Sequence, residues 1–331
     1  MQRIDFILGT LYGQAIGDAM GMPSELWPAS KIKDRFGQIT TFLDGPSDND
    51  VAINFTKGMY TDDTNQAFAI LDGLIENNWQ PDETILMTQI LNWADRAGAW
   101  ENNILGPSSK AALNAFKRGE YTEKATGMAI TNGAGMRIAP IGTLFDPSQI
   151  DDLVTLVFNV SKVTHSSDVA ISGAALIAGA VSAAVSDADW DEIIHFSLRA
   201  AKKGMALGQP TWAAKIVDRL LLGIKLAHKY SNDAQTFSQK IYDVLGTGTM
   251  SSESIPTALT IAYYTRDVKQ CALMCANLGG DTDTIGAMAT AICGAKNGVA
   301  SIPPEWIQLI DKNNSQHCIQ NYADKILGFI G

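Results

Sequence analysis

The sequence predicts an all-α fold, and three observations carry that expectation. Apolar residues recur at three- and four-residue intervals through most of the chain, strand-type alternation is absent, and the intervening segments are short and rich in Gly, Pro, Asn and Asp. The first helical face is marked by Ile4, Leu8, Leu11, Ala15 and Asp18, a second by Ala67, Phe68, Leu71, Leu74 and Ile75, and a late one by Ile285, Met288, Ala289 and Ile292. Further helices are expected near 82–97, 108–118, 150–161, 168–185, 190–203, 211–229, 234–244, 256–263, 267–277 and 317–329. The stretch from about Asp34 to Tyr60, with GPSDND inside it, lacks the helical period and reads as a surface loop. No linker, low-complexity tract or 20- to 50-residue repeat interrupts the pattern, so residues 1–331 are expected to form a single domain, a globular bundle of many short helices.

Composition narrows the class of protein. At 46% hydrophobic and 18% charged residues, the 331-residue chain has enough apolar surface for a sizeable core. A formal charge of −10 and the lack of any basic run argue against nucleic acid as a partner, because phosphate contacts draw on clustered Lys and Arg. The uncharged run Val169–Val185 is short for a membrane span and is interrupted by Ser172, Gly173, Gly179 and Ser182, which suits a buried helix closely packed on its neighbours. Asp5 stands where a signal peptide would be basic, and no small-x-small cleavage site follows, so the expectation is a cytoplasmic protein with no membrane partner. Cys271, Cys275, Cys293 and Cys318 form no CxxC pair and have no His-rich neighbourhood, so reduced thiols are expected rather than a zinc site.

Two acidic clusters could carry chemistry: Thr61-Asp62-Asp63-Thr64, and Gly279-Gly280-Asp281-Thr282-Asp283-Thr284. Each precedes an apolar helical pattern, and either alone would serve as a helix cap. Together they hold more carboxylates than caps require, and if packed side by side they repel unless cations neutralise them. Hard carboxylate and hydroxyl oxygens, without Cys or His, suit Mg²⁺ or Mn²⁺, and a two-metal site is the natural inference. Asp18 falls on the apolar face of its helix and must be hydrogen-bonded or paired, which gives it a supporting role. Glu25 lies beyond the end of that helix on a turn, free to reach a cleft or to remain a solvated surface residue. The segment Asn132-Gly133-Ala134-Gly135-Met136-Arg137 could offer backbone N–H groups to a pyrophosphate. It follows no expected strand, which disfavours a dinucleotide-binding turn; its glycines would equally serve a plain turn, and Arg137 a structural ion pair. His165 sits between two helical patterns, and no local signature joins it to a nucleophile.

Taken in order, GTLYGQAIGDAMGMPSE, YTDDT, NGAGMRIAPIG, THSSD, NLGGDTDTIGAMATAICGA and IPPEW resemble the successive signatures of the ADP-ribosylglycohydrolase family, which includes the dinitrogenase reductase-activating glycohydrolase. The resemblance spans about residues 6 to 307. It implies an orthogonal all-α domain with a cleft holding two divalent cations, Mg²⁺ or Mn²⁺, and hydrolysis of the glycosidic bond between ADP-ribose and a modified acceptor. The partner would be an ADP-ribosylated protein or a small-molecule conjugate. Carried over by motif, the metal ligands are Thr61, Asp62, Asp63, Asp281, Asp283 and Thr284; Glu25 and Asp63 are the catalytic acids. The substrate contacts are Asn132, Gly133, Ala134, Gly135, Met136, Arg137 and His165, with the loop at the diphosphate.

The match has one departure. Arginine-directed relatives carry an Asp two residues before the glycine that matches Gly106, and this chain has Ile104 there, so arginine is not the expected acceptor, although Glu101 could substitute. The competing expectations are a catalytically idle structural or ADP-ribose-binding relative, as the lens crystallins of this family are structural, and a two-metal hydrolase of another nucleotide or phosphate ester.

Overall fold

A computed structural model describes residues 2–102, 104–120 and 123–331. The chain is 68% helical, and among the described residues its extended pairing is limited to isolated bridges such as Trp27 with Gly280. The helices in order are α1 (Arg3–Gly21), α2 (Ala29–Phe36), α3 (Asp62–Glu76), α4 (Glu83–Arg96), α5 (Pro107–Lys117), α6 (Glu123–Thr126), α7 (Gly133–Met136), α8 (Ala139–Gly142) and α9 (Ile150–Ser161). They continue as α10 (Asp168–Val185), α11 (Trp190–Met205), α12 (Ile216–Lys229), α13 (Ala234–Lys240), α14 (Ser251–Thr265), α15 (Val268–Ala276), α16 (Thr282–Asn297), α17 (Pro304–Asn313) and α18 (Ile319–Ile330).

Two helices form the spine. α1 carries glycine at every fourth position from Gly9 to Gly21, and a residue four further along a helix lies on the same face. That face lies directly on the backbone of α16: a Cβ at Gly17 would fall 2.0 Å from the Gly286 carbonyl oxygen, and one at Gly9 would fall 2.2 Å from that of Gly294. Only glycine permits so close a crossing, which fixes the C-terminal end of α1 against the N-terminal end of α16. Around the spine, α10 is buried on every side, with Ser167 capping its N-terminus by accepting from the Ala170 N–H. Its 18 residues are long and apolar enough for a membrane span, and all of them are buried within the protein. A contiguous hydrophobic core runs from Phe6 in α1 to Ile326 in α18. All four cysteines are free thiols, Cys318 alone among them exposed.

The structure departs from the expected elements in instructive places. The segment from Gly37 to Tyr60 is irregular, yet Ile39, Phe42, Ala52 and Tyr60 are buried, and the Asn277 amide bonds both the N–H and the C=O of Ile39. It is a surface loop pinned to the core by these residues. The helix expected from 211 begins at Ile216, because Thr211 instead donates to Asp168 Oδ1 at 2.6 Å beside the α10 N-terminus. α14 starts at Ser251, five residues earlier than expected, and carries Pro256 inside it. Past Lys240 the chain runs on as a short π-helical turn, Ile241–Leu245.

Candidate metal centre and active-site cleft

Three helix ends meet at one point: the last turns of α1, the first turn of α3 and the first turn of α16. Asp18 organises the junction. Its Oδ1 accepts from the Thr61 N–H at 2.8 Å and the Thr61 hydroxyl at 2.9 Å, while Oδ2 accepts from the Thr64 N–H at 3.0 Å and the Thr64 hydroxyl at 2.6 Å. With both oxygens doubly bonded, this buried carboxylate holds the start of α3 in place, the supporting role its position on an apolar face predicts. Asp62 and Asp63 then fall in the first turn of α3, and Asp283 in the first turn of α16 with Asp281 as the N-cap, where the partial positive charge of each helix end faces them.

The turn before α16 is set by Gly279 and Gly280, at φ 87° and 85°. A Cβ at Gly280 would lie 2.2 Å from the Thr247 carbonyl oxygen. Gly280 also pairs in both directions with the turn after Glu25: the Leu26 N–H donates to the Gly280 carbonyl at 2.7 Å, and the Gly280 N–H donates to the Trp27 carbonyl at 2.8 Å. This pairing carries Glu25 to the acidic cluster. Asn49 secures the turn through its Nδ2, 3.0 Å from the Glu25 carbonyl oxygen.

Two sets of three carboxylates have oxygens within 4.8 Å of one another, Asp18 with Asp63 and Asp283, and Glu25 with Asp281 and Asp283. Asp283 belongs to both. Burial, and after it the neighbouring carboxylates, push Asp62 up to about 8 and hold Asp63, Asp283 and Glu25 well above the usual carboxylate range. Burial also raises Asp281 to about 6. Asp63 Oδ1 and Asp283 Oδ1 are buried with no hydrogen-bond partner among the protein groups. Orphaned anionic oxygens in a ring of like charge are what a hard cation neutralises. The oxygen-only donor set suits Mg²⁺ or Mn²⁺.

A cleft of about 190 Å³ opens on this cluster. Of the residues expected to act, Glu25, Asp62, Asp281, Asp283, Thr284, Asn132, Gly133, Met136 and His165 line it. Asp63 lies beneath, and the Thr61 hydroxyl, whose one proton goes to Asp18, stands 3.2 Å from Asp63 Oδ2 and 3.3 Å from Asp283 Oδ2. His165 is buried and neutral: burial, helped by Arg137, lowers it to about 3, and its Nε2 shares a hydrogen bond of 3.0 Å with the Thr131 hydroxyl. Its ring lies under Gly133, where a Cβ would come within 2.6 Å of Cε1.

Ala134, Gly135 and Arg137 are not on the cleft wall. Arg137 is fully buried, turned inward to Gln66 Oε1 at 2.6 Å and to the Thr164 hydroxyl. Gln66 in turn donates to Asp62 Oδ2 at 3.0 Å. The guanidinium therefore steadies Asp62 through an amide relay, and a diphosphate would meet the backbone of this segment rather than Arg137. Asn132 spends its amide N–H groups on Asp281 Oδ2 and on Ser254 Oγ, the latter at 2.9 Å, so it positions an acid. The sequence reading did not single out Gln66, whose only local sign is its place one helical turn after Asp62, or Thr131 and Ser254, which the fold brings from elsewhere.

Junction and cleft define an all-helical protein with a carboxylate-walled cleft. The chain belongs to the ADP-ribosylglycohydrolase family, whose model matches residues 1–330. It is 43% identical over 313 residues to the Escherichia coli (strain K12) protein YegU, described as uncharacterized, covering 94% of this chain and 93% of that one. It is 25% identical over 340 residues to the Pseudomonas putida (strain GB-1) ADP-ribosylarginine hydrolase Tri1, covering 98% of this chain and 78% of the relative. Among solved structures, an ADP-ribosylglycohydrolase-related protein complex superposes with a TM-score of 0.71 over 99% of both chains at 21% identity, a likeness of fold. Family and relatives together indicate ADP-ribosyl hydrolase activity.

Proposed function

We propose that this protein hydrolyses the glycosidic bond between ADP-ribose and an uncharged acceptor group, using two divalent cations, Mg²⁺ or Mn²⁺, held by Thr61, Asp62, Asp63, Asp281, Asp283 and Thr284. The observation that carries the reading is the pair of orphaned oxygens, Asp63 Oδ1 and Asp283 Oδ1, buried beneath the cleft of a chain from this family. Bound cations would fix the ribose hydroxyls and stabilise charge as the bond to the acceptor breaks.

The chain's own groups supply the rest. Glu25, on the cleft wall with its proton affinity raised by burial and its acidic neighbours, can deliver a proton to the departing acceptor. Asp63, beneath the cleft, is the second catalytic acid of this reading and takes the proton of the attacking water. The balance is that of a glycosidase: the water oxygen bonds to the anomeric carbon, the bond to the acceptor breaks, and the acceptor leaves protonated. Gly133 and Met136 bring backbone to the cleft for the diphosphate, with neutral His165 behind them. Ile104, on the same wall, offers no carboxylate to a guanidinium, which supports an uncharged linkage over arginine.

The test is metal-supplemented release of ADP-ribose from arginine-, serine- and nucleobase-linked conjugates, beside a panel of phosphate esters. Turnover of an uncharged conjugate, abolished by chelation and poorly restored by zinc, is the expected result. Cleavage of phosphate esters alone would assign the centre to a different two-metal hydrolase, and full activity after chelation would remove the cations from the account.

A further inference from the structure

A buried charge is ordinarily held by an opposite one, but the fully buried guanidinium of Arg137 bonds two neutral groups instead. Nη1 donates to the Gln66 amide oxygen at 2.6 Å, Nη2 donates to the Thr164 hydroxyl, and Nε has no hydrogen-bond partner. A guanidinium has donors only, so both partners are forced to accept. The direction of every further bond from those two side chains then follows.

We propose that Arg137 is a positioning residue with two arms. One turns the Gln66 amide so that it donates to Asp62. The other fixes His165 as the tautomer protonated on Nε2, which leaves the Thr131–Ser108 pair a hydroxyl proton for an acceptor oxygen of the substrate. The direction of the bonds rests on geometry alone; their use on metal and substrate rests on the function proposed above.

In the first arm Gln66 Oε1 is taken by Arg137, so the NH₂ end faces Asp62 Oδ2 at 3.0 Å. In the second, the Thr164 oxygen accepts from Arg137, and its own proton has His165 Nδ1 as acceptor, 2.8 Å away. A proton on Nδ1 would give the Thr164 oxygen two donors and strand the hydroxyl proton in a fully buried site. Nδ1 is therefore bare, and with the ring kept neutral by burial the proton sits on Nε2. Nε2 donates to Thr131 Oγ1 at 3.0 Å, and Thr131 Oγ1 stands 2.9 Å from Ser108 Oγ. Two hydroxyls that share one bond hold two protons, so one is left over. Thr131 lines the cleft, as do Pro107 and Ser109 on either side of Ser108. This side of the cleft thus offers a donor, suited to a phosphate or carbonyl oxygen.

Long-range proton–nitrogen spectra of the histidine rings in the full, metal-free chain read the tautomer without ligand or turnover. A bare Nδ1 and a protonated Nε2 are expected at His165 in the native chain and in Thr164→Ser, which keeps the hydroxyl. Thr164→Asp replaces the relay by a group that only accepts, so Nδ1 should gain a proton. ADP-ribose, titrated calorimetrically with Mg²⁺ present, should bind Thr164→Ser like the native chain and Thr164→Asp at least about tenfold more weakly. Gln66→Met tests the other arm: Mg²⁺ affinity should fall by about 10- to 100-fold, with the His165 tautomer unchanged. A protonated Nδ1 in the native chain, a bare Nδ1 in Thr164→Asp, or undiminished ligand affinity in both folded variants would overturn the inference. A native chain that binds neither Mg²⁺ nor ADP-ribose would instead contradict the function proposed above, whereas a native chain that binds both but carries its proton on Nδ1 contradicts this inference alone.

Discussion

The spine and the junction at its end obey opposite physics. Along α1 and α16, Gly9 meets Gly294 and Gly17 meets Gly286, the two backbones pack directly on each other, and a Cβ at either position would overlap the partner helix. At the end of the same pair, Glu25, Asp62, Asp63, Asp281 and Asp283 crowd together with raised proton affinity and orphaned oxygens, an arrangement unfavourable by itself. The comparison teaches that the first region holds the second: a helix pair packed backbone on backbone keeps the like charges crowded where relaxation does not relieve them.

The largest expected effect comes from the acidic side. Glu25→Gln preserves shape and removes a titratable proton, and steady-state assays of ADP-ribose release should show turnover reduced by about two to four orders of magnitude with the fold intact. Near-native turnover would return Glu25 to the role of a surface residue. The spine is broken instead by Gly17→Val, whose first added carbon would lie 2.0 Å from the Gly286 carbonyl oxygen. Denaturant titration should show a loss of roughly 3 kcal/mol or more, at the top of the usual overpacking range. Gly328→Ala in α18 is the control, since a Cβ there meets nothing within 4 Å, and should be neutral or slightly stabilising.

A smaller effect separates the two regions by pH. A carboxyl raised in the folded state binds more protons folded than unfolded, so the stability it contributes is present at low pH and is lost as pH rises through its folded value. His165 and His317 are lowered to about 3 and about 4, so they act in the opposite sense, but only below their ordinary value of 6.5. Between pH 6.5 and 8 the raised carboxylates set the direction, with Asp62 at about 8. Metal-free protein should therefore lose on the order of 1 kcal/mol across that window, read as a falling Tm, and added Mg²⁺ should flatten the trend. A Tm that rises with pH in the absence of metal would contradict the crowding. The smallest change is expected at the cleft wall: Ile104→Asp should raise turnover of arginine-linked relative to uncharged substrate by up to about fivefold, because a partly exposed ion pair contributes only about 0.2–1 kcal/mol. An unchanged ratio would detach Ile104 from acceptor choice.

Local spacing carried much of this in the sequence. The two Asp pairs announce themselves, as does the long apolar α10, because each feature is contiguous and has a simple period. What the sequence hid depends on segments far apart. The sequence leaves Arg137 open between a substrate contact and a structural role, and only Gln66 and Thr164, brought from other parts of the chain, show where its guanidinium is bonded. Glu25 looks like an ordinary turn residue, and its place beside Asp281 follows from backbone pairing with Gly280 that no side-chain pattern reports. α2 escaped because it buries little beyond Ile32 and so has almost no apolar stripe, and a cavity beside the cleft joins α3, α4, α18 and the segments before α3 and α18, none of which is unusual alone.

The central claim, that the junction is held for two cations, is tested most directly by titrating Mg²⁺ and Mn²⁺ into metal-free protein at constant pH and counting sites by calorimetry, in the native chain and in Asp283→Asn. Asp283 belongs to both carboxylate triads, so the account predicts two sites per chain in the native protein and the loss of both in the variant, together with loss of thermal stabilisation by metal. No saturable binding to the native chain, or an undiminished stoichiometry in Asp283→Asn, would contradict it.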